Sequence, residues 1–172
     1  LVSEKEAGTI EQINVSPVSR LTFTLSKLIP YWIIGLLVLT LAMVIAWVAY
    51  GLVPVGSIWI IYVVTLLFSF VMSGLGVSIA NCSSTMQQSM YVMFFFIIIF
   101  QLMSGLMTPI DSMPQWAQYI TYVIPPRYFI EIMRSVYLKG SMFSELWQDF
   151  SMLAVFAVFV CLAAMITYKK QS

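Results

Sequence analysis

No Asp, Glu, Lys or Arg occurs between Lys27 and Asp111, and a second uncharged run extends from Phe150 to Tyr168. A chain folded in water carries roughly a quarter of its residues as charges. Here 9% are charged and 61% are hydrophobic, with a mean hydropathy of +0.96. Crossing the hydrocarbon core takes about 20 apolar residues, so the long run holds three spans and the short run a fourth. Lipid cannot bond to free N–H and C=O groups, which leaves helices as the spanning form at these lengths. The expected fold is an all-α membrane protein with four transmembrane helices plus short interfacial or re-entrant outer helices.

The chain divides into a polar cytoplasmic segment, residues 1–27, and a transmembrane domain, residues 28–172. It opens on Leu rather than Met, and no signal-peptide pattern precedes the first span, so it reads as a piece with sequence upstream. Thr9 and Gln12 have the spacing of a capping box, and Ser16-Pro17 marks a second helix start. Val18, Leu21, Leu25 and Leu28 then share a face opposite Arg20 and Lys27, as in an interfacial helix leading into the first span.

The spans are expected at about 28–50, 57–80, 90–107 and 150–168. Gly51, Pro54 and Gly56 supply the first turn, and the polar stretch Asn81 to Ser89 supplies the second. Ser69, Ser73, Gly74, Gly76, Ser78 and Ala80 give the second span a surface of small residues that lets another helix approach closely. Between the third and fourth spans, two amphipathic helices are expected over about 112–139, each too short to cross the membrane. Asp111-Ser112 before Pro114 marks the start of the first, in which Trp116, Ile120, Val123 and Ile124 share a face. Pro125-Pro126 ends it. Phe129, Ile132, Met133, Val136 and Tyr137 define the second, with Arg127, Glu131 and Arg134 at ion-pair spacing opposite, and Gly140 stops it.

Five basic residues (Lys5, Arg20, Lys27, Lys169 and Lys170) lie on the side of the two ends, against Arg127, Arg134 and Lys139 on the other. The positive-inside rule then puts both ends in the cytoplasm.

Little in the chain suits catalysis. There is no histidine, which removes the commonest general base and the usual zinc ligands. Cys82 and Cys161 build no disulfide or metal framework. No phosphate-binding glycine loop ending in Lys-Ser or Lys-Thr is present. The spans hold no ionisable side chain of the kind that ion-coupled transporters use. The sequons Asn14-Val15-Ser16 and Asn81-Cys82-Ser83 both fall on the expected cytoplasmic side.

The polar N-terminal stretch carries a more specific pattern. Glu4, Lys5, Glu6, Gly8, Thr9, Glu11, Gln12, Ser16 and Pro17 form a Glu-basic-Glu-x-Gly-Thr-x-Glu-Gln element with a Ser-Pro pair downstream. Together with Gln87-Gln88, Ser104-Gly105, Pro109, Ser112-Met113-Pro114, Trp116, Pro125, Tyr128 and Arg134, it resembles the ABC-2-type transporter permeases of the bacterial drug-efflux and export group. In that family the element follows the second of six spans. The resemblance therefore implies that these four spans are the third to sixth.

It further implies a permease subunit in the bacterial inner membrane that exports a hydrophobic or amphipathic compound. ATP would be hydrolysed on a separate ATPase subunit, and this chain would bind no cofactor. A second permease copy or paralogue, membrane lipids and a periplasmic adaptor protein would be its partners, with no nucleic acid. Glu4, Glu6, Gly8, Thr9, Ile10, Glu11, Gln12 and Ile13 would form the element that docks on the ATPase, with Ile10 and Ile13 as apolar anchors. The bland alternative is a solvated juxtamembrane helix. Arg127, Glu131 and Arg134 are a candidate outer gate, set against an exposed face with weak ion pairs. Gln101 and Ser73 are candidates for the substrate path, set against simple helix-to-helix bonding. The competing reading for the whole chain is a non-transporting membrane anchor or assembly subunit.

Overall fold

The computed structural model describes residues 2–7 and 20–169. A short helix α1 covers Val2–Glu6. It is followed by α2 at Arg20–Tyr50, α3 at Ile58–Cys82 and α4 at Met86–Met103. A 3-10 helix at Ile110–Ser112 leads to α5 at Gln115–Thr121 and α6 at Pro125–Arg134. A π-helical turn over Ser135–Lys139 extends α6, and α7 at Trp147–Lys169 closes the described chain. Four helices are long and apolar enough to cross a membrane: Thr22–Tyr50, Ile58–Cys82, Met86–Met103 and Trp147–Ala164. Among the described residues there is no strand.

Two boundaries differ from the sequence expectation. The interfacial helix and the first span are one helix, with Pro30 inside it. At about 1.5 Å per residue, its 31 residues reach about 46 Å, longer than a core of about 30 Å. The helix therefore spans and also supplies its own interfacial end. The helix starts read at Thr9 and at Ser16-Pro17 lie outside the described residues. The third span begins at Met86 rather than near residue 90, because its cap lies further upstream. Thr85 Oγ1 accepts the Gln88 N–H at 3.2 Å, and Gln88 Oε1 accepts the Ser84 N–H at 3.2 Å. Thr85 is thus the N-cap, with Gln88 reaching back one residue beyond it, so Gln87 and Gln88 form the first turn of the span instead of a loop.

The best-packed pair is α3 with α7. Val71, Ala157 and Val160 form one buried cluster between them. A larger cluster towards their starts joins Ile61 and Val64 to Leu146, Phe150 and Leu153. The two helices thus run parallel. Gly74 makes their approach possible, since a Cβ there would stand 2.5 Å from Val160 Cγ1. The small-residue surface expected on the second span is used at this point. α2 lies along another side of α3, with Trp32 Nε1 donating to Ser73 Oγ at 2.7 Å and Thr40 bonded to the Tyr62 hydroxyl at 2.7 Å.

At the end of the bundle where α3 and α7 begin, α5 and α6 form a hairpin. Ile132 and Val136 are fully buried against α3 and α7. Phe129, Met133 and Tyr137 pack around them, as the helical spacing predicts. The face expected on α5 divides instead: Trp116, Ile120 and Val123 are exposed, Ile124 is buried, and Ala117 and Thr121 on the other side are buried too. In a lipid-facing helix an apolar stripe does not identify the packed side. Pro125 and Pro126 both end α5 and start α6, occupying first-turn positions where no N–H is needed.

The π-helical turn was not legible in the sequence. Its wider spacing carries the Gly140 N–H to the Ser135 carbonyl, which leaves the carbonyls of Val136 and Tyr137 free. They accept the Gly56 N–H at 3.0 Å and the Val55 N–H at 3.2 Å from the turn between α2 and α3. The contact needs two glycines: a Cβ on Gly56 would lie 2.8 Å from the Val136 carbonyl oxygen, and Gly140 has a φ of +71°.

Two glycine variants test the packing. Gly74→Ala forces Val160 aside and is expected to cost about 1–3 kcal/mol as overpacking. Gly76→Ala meets only Met93 Cε at 3.6 Å and should leave stability unchanged or slightly raised. Thermal unfolding of the detergent-solubilised protein distinguishes them; equal midpoints would exclude close α3–α7 packing at Gly74.

Candidate functional site

An open, groove-like cavity of about 630 Å³ lies between α3, α4 and α6. Phe68 and Met72 line it from α3, Ile97 and Phe100 from α4, and Phe129 and Met133 from α6. Helical spacing of four residues places each same-helix pair on α3 and α6 on one face. The rings of Phe68 and Phe129 stack at 4.3 Å between centroids, joining α3 to α6 along one wall. Gln101, Ser104 and Arg134 also border it, but the surface it presents is almost wholly apolar. Ser104 is buried and its hydroxyl donates to the Gln101 carbonyl at 3.2 Å, closing the last turn of α4. Gly105 follows with a φ of +82° and turns the chain towards the hairpin.

The three residues proposed from sequence as an outer gate lie on one helix but have different partners. Arg134 borders the cavity and donates from Nη2 to the Gly105 carbonyl at 3.4 Å. Arg127 is held inside the hairpin: Nη1 donates to Thr121 Oγ1, and its guanidinium lies 4.1 Å from the Tyr122 ring centroid. Thr121, with no exposed surface, donates its own hydroxyl hydrogen bond to the Gln118 carbonyl at 2.7 Å. Tyr128 closes the same turn, donating to the Tyr122 carbonyl at 2.9 Å. Burial raises the pKa of the Tyr128 hydroxyl, which keeps it a donor. Glu131 is exposed. The contacts the two arginines make are to a hydroxyl, a carbonyl and a ring rather than to Glu131.

The two residues proposed for a substrate path also part. Gln101 lines the cavity, whereas Ser73 is engaged by Trp32 in the α2–α3 contact. At the opposite end of the bundle, Glu4 and Glu6 belong to α1. Glu6 Oε1 accepts the Met86 N–H at 2.8 Å, so α1 touches the start of α4. Gly8, Thr9, Ile10, Glu11, Gln12 and Ile13 lie outside the described residues. Among the described residues no group of three His, Cys, Asp or Glu side chains gathers as a metal site.

Sequence reasoning missed Phe68, Phe129 and Ser104 as cavity residues. Their aromatic and aliphatic neighbours recur every four positions, but the same recurrence describes any lipid-facing or core helix.

The sequence profile described as ABC-2 family transporter protein matches residues 1–166. Over 146 residues, 85% of this chain, it is 30% identical to the probable multidrug ABC transporter permease YbhR of Escherichia coli K12, covering 40% of that protein. It is 32% identical over 139 residues to the probable multidrug ABC transporter permease YbhS of the same strain, covering 80% of this chain and 37% of the relative. The inner membrane transport permease YhhJ is 27% identical over 168 residues, covering 95% of this chain and 44% of the relative. The chain thus spans about two-fifths of the length of these curated relatives. No solved structure matches.

The hairpin network gives a direct test. Arg127→Leu removes a charged hydrogen bond and a cation–π contact and is expected to cost about 2 kcal/mol. The exposed Glu131→Gln should change stability by less than about 0.5 kcal/mol. Denaturation followed by Trp fluorescence separates the two; a neutral Arg127→Leu would rule out the brace.

Proposed function

Because the chain belongs to the ABC-2 transporter family, as an ABC-2-type permease, we propose that it is the membrane part of an ATP-driven exporter. It moves a hydrophobic or amphipathic compound out across the inner membrane, with ATP hydrolysed on a separate subunit. The observation that carries this reading is the open cavity of about 630 Å³, with almost wholly apolar walls drawn from α3, α4 and α6. Ligand sites for apolar compounds are lined mainly by hydrophobic and aromatic side chains of this kind.

In this reading the segment 4–13 is the docking element for the ATPase. Glu4, Glu6 and Glu11 form its polar rim, and Ile10 and Ile13 its anchors. Both ends of the chain face the cytoplasm, supported by the five basic residues on that side. The α5–α6 hairpin then lies at the outer exit, with Arg134 as the gate residue beside the cavity. A second permease copy completes the passage.

Two measurements test the proposal in the complete complex reconstituted in liposomes. Cysteines replacing Ile10 or Ile13 should cross-link to the ATPase subunit; no cross-link in an active complex would remove the docking role. Ile97→Trp should fill the cavity and raise the substrate concentration for half-maximal export about tenfold, within the roughly 1.4 kcal/mol that lost packing delivers. ATPase activity without any export in the parent complex would favour an assembly or anchoring role instead.

A further inference from the structure

α4 is held differently from α3 and α7. None of its residues is buried, whereas α3 and α7 interlock along two buried clusters. Its fixed points are at its ends, and each involves a charged side chain from a short element outside the spans. At the start, the Glu6 carboxylate of α1 accepts the Met86 N–H at 2.8 Å. Just past the other end, the Arg134 guanidinium of α6 donates to the Gly105 carbonyl at 3.4 Å. The signs match the helix dipole: an anion at the N-terminus and a cation beside the C-terminus.

We propose that α4 is a rod clamped at both ends, and that Glu6 and Arg134 are the positioning residues through which displacement of α1 reaches the cavity. An α-helix of 18 residues is stiff over its length of about 27 Å. With no buried side chain locking it sideways, a shift imposed at Met86 is carried to Ile97, Phe100 and Gln101, the wall that α4 gives to the cavity. α3 cannot follow, because Gly74 and Val160 hold it against α7. The Met86 clamp depends on an acceptor oxygen rather than on charge alone, so glutamine can substitute at position 6. This inference rests on the permease reading and gives Glu6, within the docking segment, a second role as the contact to α4.

The test uses the complete complex in liposomes, with two readouts. The first is hydrogen exchange over residues 84–89. The second is maleimide labelling of a cysteine placed by Leu106→Cys, in a Cys82→Ser, Cys161→Ser background, with and without ATP. Glu6→Ala should speed exchange at the α4 start about fivefold, as loss of a helix cap does. It should also abolish the ATP-dependent change in labelling, while Glu6→Gln keeps both at parent values. Arg134→Ala should abolish the labelling change with exchange at 84–89 unaltered. Parent-like exchange in Glu6→Ala overturns the clamp. Faster exchange with an intact ATP response overturns the rod. A parent complex that exports, paired with either result, leaves the permease reading standing. A parent that neither exports nor responds to ATP counts against that reading and the rod together, and the exchange measurement still decides the clamp.

Discussion

A backbone in lipid has no solvent to bond with, and most of this structure follows from that constraint. It makes the spans helical, and it also governs the places where the chain leaves regular helix. The π-helical turn after α6 frees the carbonyls of Val136 and Tyr137, and the turn between α2 and α3 donates to both. One irregular segment satisfies another. Such compensation lets non-helical backbone persist beside the bilayer, provided protein rather than lipid surrounds it. Gly56 and Gly140 are the residues that allow the two segments to come close enough.

Hydropathy is an effective guide to the spans because that constraint is written in composition. The charge-free run from Lys27 to Asp111 and the one from Phe150 to Tyr168 mark all four spanning helices. The same logic fails for facing. In water, an apolar stripe points inward; here the stripe of α5 divides, with Trp116 and Val123 exposed and Ile124 buried beside the small residues Ala117 and Thr121. Pairings read from spacing failed for a related reason. Arg127 and Glu131 have suitable separation on a helix, but Thr121 and the Tyr122 ring, brought round by the turn at Ile124-Pro125, offer Arg127 a more enclosed partner set.

The cavity was legible only in fragments. Gln101 stood out as a polar residue in an apolar run, and Arg134 as part of a charged face. Their convergence depends on the hairpin folding back over α3 and α4, which no local pattern encodes. Ser73 looked equivalent to Gln101 in sequence, and tertiary packing gives it to Trp32. The proline pair, by contrast, was readable in full, because proline constrains its own backbone whatever its surroundings.

The spanning helices are also unequal in length. α2 reaches about 46 Å while α4 reaches about 27 Å, against a hydrocarbon core near 30 Å. A long helix meets a thicker or thinner bilayer by tilting; a short one pulls the headgroups towards its ends. Membrane thickness therefore acts on the two helices in opposite ways. The lipid composition around this protein becomes a mechanical input, and its strain falls on the helix whose ends are held by single side chains.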